Sequence, residues 1–558
     1  MREVPIVRGL PPIKQTMLDK VIEWVSPQRG VARLQARVQT AMLSGGGFTG
    51  ASRSKRSMSA WNAPALTADA ALIPDLPVLR ERSHDLARNN PLAAGAINTA
   101  VTRVVGTGLA LHPAIDIEVL GITREQADEW QDTTKRRWCM WAERNWCDAS
   151  RKQNFYGLQS LAWRSMLEGG DCFALQAMLE DPRAPSELAI KLLEAERCVN
   201  PRGEIDTARV CGGVQMNEDG AALRYHFLRE YTGPIYGQAL TGAGDWIDAV
   251  GAQSGRRNVL HIMDPRRIGQ TRGMPYLAPV LEAFGQLGRY TEGEIAAAVL
   301  NAFFAVAIKH PSGEGLSPLE SAMDGTTGSA GEVTGKPWDG TLTNGLAVDL
   351  TPGAEIASID PGRPNVNFDP FVQAILRQIG VALELPFEIL VKHFTSSFTA
   401  ARAALLDLWL FVRKSRDLLE AQFCQPVYEE WLRLEVASGR IAAPGFFSDA
   451  LVRHAWCNAT WTGDAMGVLN PQQEIAASEK AIELKLTTRA RESMLRDGSN
   501  WEDTIEQLGR EEEAIKAAGL AAAAPPAAPG APAPAPGNDN ADPNQANNTN
   551  GTDSDAET

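Results

Sequence analysis

The chain has 558 residues, with 54 Lys and Arg against 68 Asp and Glu, a net charge of −14. That acidity argues against a dedicated duplex-DNA clamp, because tight nonspecific binding needs many basic side chains on phosphates. It does not exclude a protein that lets nucleic acid slide past. The length is ample for several domains with their own cores, so no disulfide or metal staple is needed.

Charge is uneven along the chain. Residues 1–60 hold ten Lys and Arg against three Asp and Glu, including Gly45-Gly46-Gly47 and Ser52-Arg53-Ser54-Lys55-Arg56-Ser57. This reads as a basic arm that touches nucleic acid or an acidic neighbour, or as a solvated linker. Residues 521–558 are acidic and rich in Pro, Ala and Asn, with no aromatics. Too little apolar surface is available there to offset the entropy of ordering, so this tail is expected to be disordered. The middle, 61–519, then carries −16.

No apolar run follows the first charged residues as a secretion signal requires. The longest apolar stretch, Ile295 to Ile308, is shorter than the ~20 residues that a spanning helix needs. Seven scattered cysteines without a CxxC pair point to buried free thiols in a reduced cytoplasm.

Taken in chain order, residues 78–105 read as helix, interrupted at Asn89-Asn90-Pro91 and stopped by Gly106-Thr107-Gly108. Residues 122–146 form a helix, with Thr123 as N-cap and Gln126 three positions on. Its Trp130, Trp138 and Trp141 share a face suited to core packing. A helix over 154–168 ends at Gly169-Gly170. Strands follow at 171–178 and 259–263, with a hairpin over 214–228 turned at Asp219-Gly220. Residues 276–309 read as one long helical stretch. Residues 311–370 are loop-rich, with short strands expected at 345–350 and 355–359. Residues 370–385 are amphipathic through Val372, Ile375, Leu376, Ile379 and Leu383, and Pro386 ends or kinks that helix. After His393-Phe394-Thr395-Ser396-Ser397-Phe398 comes the longest helix, 399–436, bent at Pro426. Helices over 471–487 and 501–518 close the ordered part.

Common catalytic motifs are missing. Gly331-Glu332-Val333-Thr334-Gly335-Lys336-Pro337 has the wrong spacing for a phosphate loop and a Pro where a hydroxyl belongs. No nucleophile elbow or HExxH occurs. The seven histidines, 84, 112, 226, 261, 310, 393 and 454, are not at metal-ligand spacing. No catalytic residue, metal or cofactor is expected.

Several strings, in a fixed order, carry a resemblance. They include Arg80-Glu81-Arg82-Ser83-His84 through Pro91, Val105-Gly106-Thr107-Gly108, Trp138-Cys139-Met140-Trp141 and Gly170-Asp171-Cys172-Phe173. Leu193-Glu194-Ala195-Glu196, His261 through Pro275, and Ser396-Ser397-Phe398 through Arg402 continue the series. Asn470-Pro471-Gln472-Gln473-Glu474 ends it, departing from an Asp-Pro followed by a basic residue. In this order the chain resembles the lambda-type portal proteins of tailed bacteriophages.

The resemblance implies an α+β, mostly helical portal fold of wing, stem, clip and crown. Twelve such subunits form a ring at one capsid vertex, a channel for double-stranded DNA in packaging and ejection. Residues 1–60 would be the arm, 61–275 the wing, 276–310 the first stem helix, 311–370 the clip and 371–390 the second stem helix. Residues 391–398 would be the tunnel loop, 399–436 the kinked helix, and 437–519 the crown and base. Implied partners are further copies of the chain, the major capsid protein, the terminase large subunit, the head–tail connector and DNA of any sequence, with no membrane. The clip would dock terminase and connector through Glu314, Lys336, Trp338 and Asp339. The protein would reside in the virion after assembly in the host cytoplasm.

The residues themselves fit these roles. Thr395, Ser396 and Ser397 suit a surface that touches DNA without gripping it. Lys392 and His393 suit weak phosphate contacts summed around a ring. The same stretch also reads as an ordinary helix linker with a Ser N-cap. Ala297, Ala298 and Ala302 read as close-packing positions against neighbouring copies in the stem, or as monomer core, and Ile375 and Ile379 as subunit-packing positions in the stem. A metal-dependent nuclease or protease of the same phage module, or a shorter head–tail adaptor, are the competing readings. An acidic conduit repels the polymer it passes, which gives the net charge a use.

Overall fold

A computed structural model of the chain describes residues 56–61, 63–229, 243–303, 307–309, 355–357, 367–394, 397–465, 471–496 and 501–518, with isolated positions before residue 56. It divides into two compact units, 1–464 and 465–558. The first unit is α+β and mostly helical.

The first unit opens with helices α1 (Ala68–Leu72), α2 (Leu76–Asn89) and α3 (Pro91–Val104). Asn90 separates the last two. Its side chain accepts from the N–H groups of Leu92 and Ala93, and Pro91 supplies a first-turn residue with no N–H to satisfy. Strand β1 (Ala110–Pro113) and helix α4 (Ile117–Leu120) lead to α5 (Arg124–Ala142). Thr123 and Gln126 form the expected reciprocal cap of α5. Helix α6 (Phe155–Gly169) runs into strand β2 (Asp171–Met178).

Two antiparallel sheets follow. One has the order β3–β2–β8, from Leu188–Glu194, β2 and Val259–Met263. The other is a meander of β4 (Val210–Cys211), β5 (Val214–Met216), β6 (Ala222–Leu228) and β7 (Gly244–Asp248). The first five residues of β2 line up opposite β8. Helical core covers one face of β2, at Cys172 and Ala174. The meander covers the other, through Phe173, Tyr225 and Phe227. A strand covered on both faces reads as a nearly unbroken apolar run, as β2 does.

Helix α7 (Leu281–Phe303) follows a short 3-10 turn at Ala278–Val280. It is shorter than the 276–309 stretch expected from sequence. Ala307–Lys309 instead forms β9, paired antiparallel with β10 (Glu355–Ala357) and placing Ile308 opposite Ile356. β-branched residues favour that pleated pairing. Of the expected strands in the loop-rich region, 345–350 lies outside the described residues.

Helices α8 (Phe368–Ala382), α9 (Phe387–Val391) and α10 (Phe398–Leu419) come next. The rod beyond α10 passes through a wide π turn at Glu420–Cys424 into α11 (Gln425–Ala437). Pro426 lacks an N–H and its ring crowds the preceding turn, and the wider turn gives it room. Helix α12 (Ala450–Cys457) and β11 (Ala459–Thr462) end the unit, with β11 paired to β1. Trp138 lies at the core's centre, its ring 5.0–5.9 Å from those of Trp141, Phe155, Tyr428, Trp431 and Trp461.

The second unit holds helices α13 (Pro471–Glu483), α14 (Arg489–Arg496) and α15 (Trp501–Ala517). Lys485, in the left-handed region at φ 58°, follows α13 and stops it short of the expected residue 487. Helix α15 leaves Ile505, Leu508 and Ile515 exposed.

Candidate functional site

The strings that carry the resemblance converge on one buried charge network. Asp171 opens β2 and is fully buried. Arg272 donates to it twice, Nε to Oδ2 at 2.6 Å and Nη2 to Oδ1 at 3.0 Å. Arg80 of α2 adds a contact to Oδ1 at 2.9 Å, and His261 of β8 lies 3.3 Å from Oδ2. The Gly273 N–H also points at Oδ2, at 3.1 Å. Arg272 spends its other N–H groups on the carbonyls of Ala195, Cys198 and Gly212. One planar guanidinium thereby ties β2 to both sheet connections.

The electrostatics follow from this geometry. Burial by itself pushes the Asp171 carboxyl up. The charges of Arg272 and Arg80 and the His261 contact override it and hold the carboxyl well below the usual range. For His261 burial wins, and its imidazole titrates below the ordinary value. The network holds two fixed positive charges on one carboxylate and has no open position for a reacting group. It is a structural anchor.

His84, one turn beyond Arg80, sits between two carboxylates. Its Nε2 is 3.0 Å from Glu196 and its Nδ1 3.4 Å from Glu168. Hydrogen bonds to Glu168 and then Glu196 raise the imidazole to about 10, against a smaller lowering by burial. The sequence reading assigns Arg80, His84, Asp171 and Arg272 no role. Their one signal is charged side chains inside otherwise apolar strings, such as Asp171 before Cys172-Phe173-Ala174-Leu175.

Two glycines permit the approach of these strings. A Cβ on Gly273 would lie 1.9 Å from the Gly170 carbonyl oxygen, and one on Gly170 would lie 2.5 Å from that of Gly273. Gly170 also has φ +91°.

The loop between α9 and α10 holds the expected channel residues. Lys392 ends α9 in the left-handed region, φ 55°, with its N–H donating to the Glu388 carbonyl. His393 and Lys392 are both exposed. Ser397 caps α10 by accepting from the Ala400 N–H, so the linker reading with a Ser cap is part of the structure. Thr395 and Ser396 lie outside the described residues. Anchors flank the loop: Ile389 and Leu390 before it and Leu408 after it are buried.

The expected stem positions fall apart into two kinds. Ile379 is fully buried in its own chain and Ile375 packs beside the same core, so Ile379 leaves no side-chain surface for a neighbour. On α7, Ala297 is half-buried and Ala298 exposed, and Ala302 lies further along the helix. Exposed apolar side chains nearby in sequence are Ile295, Val299, Phe371, Val381, Leu406 and Leu410. Glu314, Lys336, Trp338 and Asp339 lie outside the described residues.

Among the described residues no helix is long and apolar enough to cross a membrane, and no group of His, Cys, Asp or Glu is arranged to hold a metal. The cysteines are free; all but the half-buried Cys139 are buried.

Residues 54–416 match the family described as phage portal protein, lambda family, and the chain belongs to that family. It is 27% identical over 501 residues to the portal protein of Escherichia phage N15, covering 85% of this chain and 90% of that one. It is 26% identical over 497 residues to portal protein B of Escherichia phage lambda, with the same shares covered. The chain is therefore a portal protein of a tailed phage, a structural component. Among solved structures, a chain in the neck of a native gene transfer agent particle is 12% identical with a TM-score of 0.39, covering 75% of this chain and 92% of that one. A HK97 family phage portal protein from Corynebacterium diphtheriae is 12% identical with a TM-score of 0.32, covering 62% and 90%.

Proposed function

We propose that twelve copies of this chain close into a ring at a capsid vertex, around a hole that passes double-stranded DNA without reading its sequence. Residues 61–275 serve as wing, 276–310 and 371–390 as stem, 391–398 as tunnel loop, 399–436 as kinked helix and 437–519 as crown. The clip, 311–370, docks terminase and head–tail connector through Glu314, Lys336, Trp338 and Asp339. The wing meets the major capsid protein.

One observation carries the reading. Lys392 and His393 stand exposed on a sharp turn between helices anchored in the core. The backbone is positioned while the side chains stay free. A few weak phosphate contacts, repeated around a ring, guide DNA without trapping it. The negative balance of the body limits sticking. Exposed Ile295, Val299, Phe371, Leu406 and Leu410 supply apolar surface for neighbouring copies. Ala297, Ala298 and Ala302 join that surface.

Lys392→Glu tests the loop's role. Rings should still assemble, while the amount of DNA packaged falls. Full-length packaged DNA in that variant would remove Lys392 from the channel wall.

A further inference from the structure

Helix α7 carries more glycine than its packing requires. Gly285, Gly288 and Gly293 fall within nine residues of a helix that is unbroken from Leu281 to Phe303. None has a positive φ, and a Cβ added at any of them would meet nothing within 4 Å in this chain. Neither backbone conformation nor crowding therefore asks for glycine there. Each glycine still lowers the helix–coil equilibrium about fivefold relative to alanine, because its backbone has more freedom to lose. A lone glycine such as Gly95 of α3 carries little weight. Three close together weaken one stretch of helix, and packing within the single chain does not explain them.

A second feature falls in the same turns. The Thr291 hydroxyl donates to the Leu287 carbonyl at 2.9 Å. A hydroxyl bonded back to the carbonyl four residues earlier competes with the helix's own N–H and tends to bend the helix there. The weak stretch sits at the edge of the anchored part. Phe284 and Leu287 are buried. Tyr290 lies against α8, its ring 5.6 Å from that of Phe368 and 5.0 Å from that of Phe371. From Glu292 to Val299 no residue is buried. Gly288 therefore precedes the last brace, and Thr291 and Gly293 follow it.

We propose that α7 is a flexure. It bends between Gly288 and Gly293 with the Tyr290 contact as fulcrum, so that the helix beyond Gly293 shifts while Phe284 and Leu287 stay in the core. The competing account is that the glycines make room for a neighbouring copy. The row that joins Gly285 to Gly293 at i, i+4 spacing carries the exposed Arg289 in its middle, a long side chain where close helix contact needs a small one. The bend itself needs no ring, but its use rests on the ring reading. Residues 276–310 then join wing to clip, and a bend there lets the clip follow a docking partner while the wing stays fixed at the capsid vertex.

Amide hydrogen exchange of the full chain tests it, with particles imaged in parallel and variants compared in the same assembly state. In the parent, amides of 288–293 should exchange faster than those of 284–287. Gly288→Ala combined with Gly293→Ala should slow exchange over 288–293 about twentyfold, two fivefold gains in helix equilibrium multiplied. Thr291→Ala should slow it further. Ring formation should be unchanged in the double variant, and the yield of DNA-filled heads should fall. Uniform exchange along α7 in the parent, or an unchanged rate in the double variant, would overturn the flexure. Rings lost in the double variant would show that the glycines make room for a neighbouring copy, and would overturn it too. Slowed exchange with a normal yield of filled heads would overturn the use assigned to the bend. The expected exchange pattern without rings in the parent would overturn the ring reading and leave the flexure standing.

Discussion

Arg272 and Asp171 meet as a two-pronged ion pair, Nε to Oδ2 at 2.6 Å and Nη2 to Oδ1 at 3.0 Å, with the carboxylate wholly inside the protein. Removing one partner of such a pair leaves a buried charge without its counterpart. Arg272→Met should cost about 3–5 kcal/mol of stability, read as a lower urea midpoint. Arg272→Lys should not restore it, because one ammonium cannot reach two carboxylate oxygens and three carbonyls together. A midpoint unchanged in Arg272→Met would remove the network from the account of stability.

His84 gives a pH dependence of definite sign. Its folded value, about 10, is above the ordinary 6.5. The charged imidazole is therefore favoured by folding. That contribution is complete below pH 6.5 and disappears as pH rises towards 10. His84→Ala should lose most stability relative to the parent at pH 6, and the gap should close by pH 10. A gap that widens with pH would contradict the placement of Glu168 and Glu196 around the ring.

Gly273 and Gly95 should respond oppositely to the same change. A methyl on Gly273 meets the Gly170 carbonyl oxygen at 1.9 Å, whereas one on Gly95, inside α3, meets nothing within 4 Å. Gly273→Ala should prevent folding or lower stability by more than about 2 kcal/mol, the range of a forced overpacking. Gly95→Ala should raise stability by up to about 1 kcal/mol, from helix propensity. Thermal melts of both variants check the contrast.

The turn after α9 separates backbone from charge at one residue. Lys392 occupies a left-handed conformation that glycine adopts without strain. Lys392→Gly should therefore keep or slightly raise the melting temperature while lowering DNA packaging. Ser397→Ala, which removes the cap on α10, should cost about 1 kcal/mol. A Lys392→Gly chain that packages normally would show that the charge there has no part in guiding DNA.

Much of the fold was legible because local signals agreed. Asn90-Pro91, Thr123 with Gln126, Asp171 to Met178 and Asp219-Gly220 each carry their own geometry, and the structure follows them. Where local and distant effects compete, sequence reading reached less far. β9 ends a helical-looking stretch because it finds a partner strand some fifty residues on. Pro426 is accommodated by a π turn rather than a simple kink, a choice made by the packed core around Phe423 and Tyr428. Periodicity placed Ile379 on an apolar face, expected to meet a neighbouring copy; its own chain's core buries it instead. Asp171 and Arg272, about a hundred residues apart, form a site only when the sheet has assembled. No spacing rule reports such a pair.

Electron microscopy of the purified chain tests the central claim most directly. The account predicts closed rings with a central hole in averaged images. Particles that stay monomeric across concentration and salt, with no ring in any image class, would contradict it.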